Sequence, residues 1–162
     1  MEQRRSKINY YLDIAQTVTR RGTCLRKNFG AVIVKDDVIV STGYNGAPRG
    51  RANCCDLQFC LRDKMNIPRG ERYELCRSVH AEANAIISAA RERMLGADLY
   101  MCCIDGKTGE LVSGTTSCQM CKRLVINAGI SRVIVRESND EYTIYNVQDW
   151  IDNDDSLGQI GY

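Results

Sequence analysis

Apolar residues Ile8, Leu12, Ala15 and Val18, with Tyr11 and Ile14 beside them, recur at helical spacing and predict an amphipathic helix over residues 6–20, closed by Arg20, Arg21 and Gly22. Two β-branched runs follow at 29–34 and 38–42, and the turn-forming Lys35, Asp36 and Asp37 between them make a hairpin. From about 46 to 77 the periodicity disappears. Gly, Pro, Arg and four cysteines accumulate there instead, so something other than a large apolar face must order this cysteine-rich insert. Helical period returns over 79–93, a strand over 98–104, turn residues over 105–110 and a short apolar run at 111–112. Thr116 or Ser117 is placed to cap a helix over 118–128, which Gly129 stops, and residues 132–135 read as the next strand. Past Glu137 the chain turns acidic; Tyr142, Tyr145 and Trp150 predict partial docking, and residues from about 152 a frayed end. A helix, a hairpin and then alternating helices and strands predict an α/β fold, a three-layer α/β/α sandwich around a mixed β-sheet.

With 162 residues and 44% hydrophobic side chains, the chain can bury one core, so a single domain over 1–162 is expected. The 22 basic and 20 acidic side chains leave a net charge of only +2, which argues against duplex nucleic acid as a partner. The segment MEQRRSKINYYLDIAQ is too polar for a signal peptide and no run approaches membrane-spanning length, so the expected setting is the cytoplasm, without a membrane partner. In that reducing compartment nine cysteines, an odd number, read as metal ligands or core residues rather than disulfides. Cys102 and Cys103, inside a predicted strand, read as core.

The one histidine of the chain, His80, stands in VHAEANAI with Glu82 two residues on, and Cys118 and Cys121 stand in TSCQMCKRL. Both segments open helices. Cysteines three apart at a helix start face the same way, and the positive end of the helix dipole favours their thiolates. One imidazole and two thiolates leave the fourth tetrahedral position of a zinc ion open for water, whose pKa zinc lowers from about 15.7 towards about 7. Glu82 is then the group that moves protons. Alone, a CxxC pair fits structural zinc knuckles and redox sites equally, and an acidic residue in a first helical turn needs no function at all. The joint pattern is what points to catalysis.

H-x-E followed by C-x-x-C is the signature of zinc deaminases. Together with GAVIV (30–34), GYNGAPRG (43–50) and HAEANAI (80–86), it makes residues 8–136 resemble the deoxycytidylate deaminase family. Ser117 departs from that pattern, because the family usually has proline before the first cysteine. The resemblance implies hydrolytic deamination of dCMP to dUMP and ammonia, supplying thymidylate synthesis, with Glu82 catalytic and His80, Cys118 and Cys121 holding zinc. It also implies that Asn45 bonds the deoxyribose hydroxyl, that the loop before Gly30 helps hold the 5′-phosphate, with Arg26 and Lys27 the candidates there, and that backbone groups near Ala81 and Ser117 hold the pyrimidine edge. Arg26 and Lys27 read equally as solvated loop charges, and GYNG as a plain turn. Some family members carry a second, structural zinc, for which Cys24, Cys54, Cys60 and Cys76 are the matching ligands, with Cys55 an alternative to Cys54. Activation by dCTP with Mg2+, inhibition by dTTP and assembly into a homo-oligomer, often a hexamer, are implied too. Arg49 is a candidate for such a regulatory site, or a solvated arginine. The alternatives are another base, nucleoside or tRNA adenosine deaminase, and a non-catalytic module stabilised by zinc.

Overall fold

The Ser6 side chain accepts a hydrogen bond from the Asn9 backbone at 3.3 Å and so caps the first helix, α1 (Lys7–Thr19). After it come two antiparallel strands, β1 (Lys27–Lys35) and β2 (Val38–Tyr44), joined through Asp36 and Asp37, both with positive φ, the conformation that tight hairpin turns require. Strand β3 (Asp98–Asp105) lies antiparallel along the other side of β1, β4 (Arg132–Arg136) runs parallel to β3, and β5 (Tyr142–Asn146) closes the far edge antiparallel to β4. The result is a mixed five-stranded sheet in the order β2-β1-β3-β4-β5. The structure is a computed structural model and describes residues 3–158.

Alternation along the strands sorts their side chains into two cores. Val32, Val34, Tyr100, Cys102 and Ile134 meet Tyr11, Leu12 and Ala15 of α1 on one face. On the other, Ala31, Ile33, Leu99, Met101, Val133 and Val135 are covered by α4 (Ala81–Ile87), α5 (Arg91–Met94), α6 (Gln119–Ala128) and α7 (Val147–Asp152). This is the three-layer α/β/α arrangement expected from the sequence. Arg136, 1% exposed, reaches back from β4 to Asp13 of α1 at 2.7 Å and ties the first layer to the sheet.

Three segments depart from the sequence expectation. The helix predicted over 79–93 breaks between Ile87 and Arg91, where Ala90 is extended. Met94 lies nine residues after the buried Ala85, about half a turn round from it on a continuous helix, so only a break lets both enter the core. The insert at 46–77 carries short helices, α2 (Cys54–Leu57) and α3 (Leu61–Lys64), and a 3-10 turn at Tyr73–Leu75. Beyond Glu137 the chain forms β5 and α7, with Tyr145 and Trp150 packed on the core and Tyr142 exposed. A 3-10 turn at Asp155–Gly158 docks through Asp155, which accepts from Gln119 at 3.0 Å and pairs with Lys122 at 3.4 Å. Residues 159–162 of the expected frayed end lie outside the described residues. Among the described residues no helix is long and apolar enough to cross a membrane.

Candidate metal centre

Hydrogen bonds in both directions between Gly46 and Val79, at 3.1 and 2.7 Å, pin the residue before His80 to the end of GYNG. Asn84 Nδ2 donates to the Tyr44 carbonyl at 2.7 Å, and Ser41 Oγ to that of Ala85 at 2.7 Å, so α4 is stitched along β2. Gly43 permits this approach: a Cβ there would stand 2.3 Å from the Ala81 oxygen and 2.4 Å from the Ala85 nitrogen. The first glycine of GYNG is thus a packing requirement of α4 rather than a turn residue. His80 is the N-cap of α4. Cys118 is the N-cap of α6, its Sγ accepting from the Cys121 backbone at 3.4 Å, so the cap is the cysteine itself and not Thr116 or Ser117.

These two caps bring three ligand atoms together. His80 Nδ1 lies 3.5 Å from Cys118 Sγ and 3.4 Å from Cys121 Sγ, and all three lie within 4.8 Å of one another. Zinc bonds of about 2.3 Å to sulfur and about 2.05 Å to nitrogen, at a tetrahedral angle, put such atoms about 3.6 Å apart, so the donor set fits the ion. Burial alone would lower the His80 pKa, but hydrogen bonds to Cys118 and Cys76 outweigh it and push it up to about 10. The hydrogen bond from Cys121, with the His80 charge acting against burial, holds Cys118 down at about 4. Cys121 is raised, because it donates to the Cys118 thiolate and is buried. Glu82, 4% exposed, is raised by burial, partly offset by the His80 charge.

A cavity of about 250 Å3 opens beside these ligands and is lined by His80, Ala81, Glu82 and Cys118. A carboxyl group that burial predisposes to hold a proton, next to an open-sided His-Cys-Cys site, is an arrangement for hydrolytic chemistry on a small molecule. Residues 5–137 match the family model for the cytidine and deoxycytidylate deaminase zinc-binding region. The chain belongs to the cytidine and deoxycytidylate deaminase family. Among curated relatives, a deoxycytidylate deaminase of Mycobacterium phage D29 is 38% identical over 129 residues, 77% of this chain and 90% of the relative. One from Schizosaccharomyces pombe is 30% identical over 130 residues, 80% of this chain but 37% of the relative, so the chain spans little more than a third of that yeast protein. The fold is shared with solved deaminases. A dCMP deaminase of cyanophage S-TIM5, in complex with dCMP and dUMP, aligns with a TM-score of 0.58 at 23% identity, covering 99% of this chain and 98% of that one. A cytidine deaminase of Burkholderia pseudomallei aligns at 0.55 and 17%, covering 85% and 91%. Zinc is the metal of this family, and the His80, Cys118 and Cys121 cluster is where this deaminase chain would hold it.

Of the other candidate residues, Asn45 lines the cavity, yet its amide already clamps β1, accepting from Phe29 N at 2.9 Å and donating to the Lys27 carbonyl at 3.0 Å. One N–H and one lone pair of that amide remain for a ligand. Lys27 and Arg26 also line it, but Arg26 is ion-paired with Asp63 at 3.0 Å. The Thr115 hydroxyl, which faces the cavity, is buried without a hydrogen-bond partner, and the buried Ser117 hydroxyl lies beside the Glu82 carboxyl, whose pKa it acts to lower. Cys24, Cys60 and Cys76 share the cavity wall, and the charges of all three raise the thiol of buried Cys54, on which burial acts most. Among the described residues these four do not come to the spacing of one ion as His80, Cys118 and Cys121 do. Cys55 points instead towards Asp56. None of the nine cysteines is in a disulfide. Sequence reasoning missed Thr115, Arg62, Arg69 and Tyr73 in the wall, and the aperiodic insert carries no signal that separates its two cavity arginines from solvated charges.

Proposed function

We propose that this chain hydrolyses dCMP to dUMP and ammonia, as a single zinc-dependent deaminase domain. The carrying observation is the convergence of His80 Nδ1, Cys118 Sγ and Cys121 Sγ beside the buried Glu82 carboxyl in one cavity. Bound there, zinc supplies a Lewis acid and a water acidic enough to ionise near neutral pH. Glu82, buried in the cavity, takes a proton from the attacking water and delivers it to N3 of the cytosine ring as the water oxygen bonds to C4, then passes the remaining hydroxyl proton to the 4-amino group, whose bond to C4 breaks to release ammonia. Backbone groups at Ala81 and Ser117, which flank the ligands, hold the ring edge, and the spare N–H of Asn45 reaches the deoxyribose hydroxyl. The 38% identity to the phage deoxycytidylate deaminase, across nine-tenths of that protein, supports dCMP among the family's substrates.

A second, structural zinc at Cys24, Cys54, Cys60 and Cys76 belongs to the same reading. It is supported by the mutual influence of these thiols and by an insert whose two helices are only four residues each. Cys54, buried among the other three, serves as ligand rather than Cys55. Regulation by dCTP with Mg2+ and by dTTP, assembly into a homo-oligomer and a cytoplasmic setting, where free thiols persist, complete it on family resemblance.

Zinc-loaded protein incubated with dCMP, dCTP, deoxycytidine and cytosine should release ammonia fastest from dCMP. Glu82→Gln should keep its catalytic zinc and lose about 1000-fold or more of that rate. Silence on every substrate would leave a zinc-stabilised binding module. Metal analysis should find about two zinc ions per chain, and about one would reject the structural site.

A further inference from the structure

We infer that Tyr73 is a positioning residue of the metal centre: its ring sets the plane of the His80 imidazole, in which Nδ1 meets Cys118 and Cys121. This rests on the reading of those three side chains as the zinc ligands. The ligand cluster accounts for one side of the imidazole only, where Nδ1 faces the two sulfurs at 3.5 and 3.4 Å. Rotation about the bond from Cβ to the ring is soft, so a histidine ligand needs a second neighbour to keep its nitrogen on the metal. The insert supplies that neighbour. The rings of Tyr73 and His80 meet edge to face, with centroids 5.2 Å apart and planes at 83°, and both residues line the same cavity. This is a favoured arrangement of two aromatic rings, and a swing of the imidazole towards the insert runs into the tyrosine.

Tyr73 can resist that swing because it is itself held by a second neighbour. The guanidinium carbon of Arg62 lies 4.5 Å over its ring. Arg62 is 5% exposed, and its Nη2 donates to the carbonyls of Pro68 at 2.9 Å and Glu71 at 2.8 Å. The same contacts therefore fix the cation and the chain that leads to Tyr73. A desolvated cation is drawn to an aromatic face more strongly than an exposed one, which suits a buried brace. The chain then turns: the Cys76 N–H closes a 3-10 turn on the Tyr73 carbonyl at 2.9 Å, and Cys76 hydrogen-bonds His80 from that turn. One turn of the insert thus delivers two neighbours to one imidazole, which gives this aperiodic segment a task at the metal centre.

His80 is the only histidine of the chain, so its imidazole gives a single set of NMR signals, to which a four-cysteine site contributes nothing. In the unaltered protein the ring protons of Tyr73 and His80 should show a mutual nuclear Overhauser effect, with and without zinc; its absence overturns the assignment without any variant. Zinc affinity is then read at the His80 signals against a competing chelator for the unaltered chain, Tyr73→Leu and Tyr73→Phe. Tyr73→Leu should bind zinc about 10–100-fold more weakly there and should shift the His80 ring signals of the metal-free protein. Tyr73→Phe, which keeps the ring, should restore both. KM for dCMP should stay where it was, because the ring is assigned to the ligand and not to the substrate. Unchanged zinc affinity with a raised KM would make Tyr73 a wall of the substrate site, and unchanged zinc affinity with only a lower melting temperature would make it a structural residue of the insert. Either result overturns the assignment. Should Tyr73→Leu not fold, Arg62→Met, which removes the cation over the ring and leaves Tyr73, is read in the same way; a smaller loss of zinc affinity is expected, and none would overturn the assignment. If the unaltered chain holds zinc at His80 yet deaminates no nucleotide, the proposed function fails, while zinc affinity at His80 still decides the role of Tyr73.

Discussion

At the residue scale the metal site is a contest between protons and zinc. At neutral pH His80, pushed up to about 10, is an imidazolium, Cys118, held at about 4, is a thiolate, and Cys121, raised, is a thiol. Zinc needs the neutral imidazole and both thiolates, so about two protons must leave for each ion bound at pH 7. Protons compete with the metal, and affinity should therefore rise with pH through the window between Cys118 and His80. Calorimetry in two buffers of different ionisation heat should return that proton count, and a value near zero would show that the metal-free site is not held by protons. The four residues of this site are legible in the sequence, because the only histidine of the chain, a glutamate two residues on and a CxxC pair form one pattern. Arg62 is not. An arginine followed by aspartate in an aperiodic stretch resembles any solvated pair; only the fold shows that Asp63 turns to Arg26 while Arg62 turns inward.

At the scale of elements, the position of His80 and Glu82 depends on how closely α4 lies on β2, and Gly43 sets that distance. Ala at 43 would drive a methyl group into the backbone at Ala81 and Ala85, which cannot yield as a side chain would. Overpacking of this kind costs about 1–3 kcal/mol, and here the strain falls on the first turn after a zinc ligand. Gly43→Ala should lower both thermal stability and zinc affinity. Gly46→Ala, whose nearest neighbour is the Thr23 hydroxyl at 3.2 Å, should do much less. Equal zinc affinity and equal melting temperatures in the two variants would remove the packing role assigned to Gly43. The hairpin followed from its β-branched runs and turn residues, and α1 and α6 from periodicity, since each of these helices carries one buried face. Three local features escaped for physical reasons. The break before α5 is set by where Met94 must point. Strand β5 is an edge strand with Tyr142 and Ile144 exposed, so it lacks a full apolar face. The insert is ordered by its polar and cysteine contacts, which have no period.

For the whole molecule, His80 lies 38 and 41 residues before Cys118 and Cys121, with β3 between them in the chain, yet α4 and α6 rest on the same face of the sheet. Zinc at this site would therefore join distant parts of the core-covering layer, and only the folded chain presents the donors at tetrahedral spacing. An ion that binds the native state and not the unfolded one stabilises it by about 4 kcal/mol when free zinc exceeds its dissociation constant a thousandfold. In a chain of this size each kcal/mol moves the melting temperature by about 2–4 °C, so chelation should lower it by about 8–16 °C. Cys118→Ser and Cys121→Ser should melt below the unaltered zinc-loaded protein and gain from added zinc only what the second, four-cysteine site contributes, because a hydroxyl replaces the thiolate ligand at the first. The opposite layer supplies the control. Asp13→Asn weakens the tie between α1 and the buried Arg136, about 1.5–3 kcal/mol for hydrogen bonds to a charged group, without touching a metal ligand. It should lower the melting temperature of zinc-loaded and chelated protein alike. If chelation leaves the melting temperature of the unaltered chain where it was, the ion does not hold the two helices together, and the sheet and its two cores carry the fold alone.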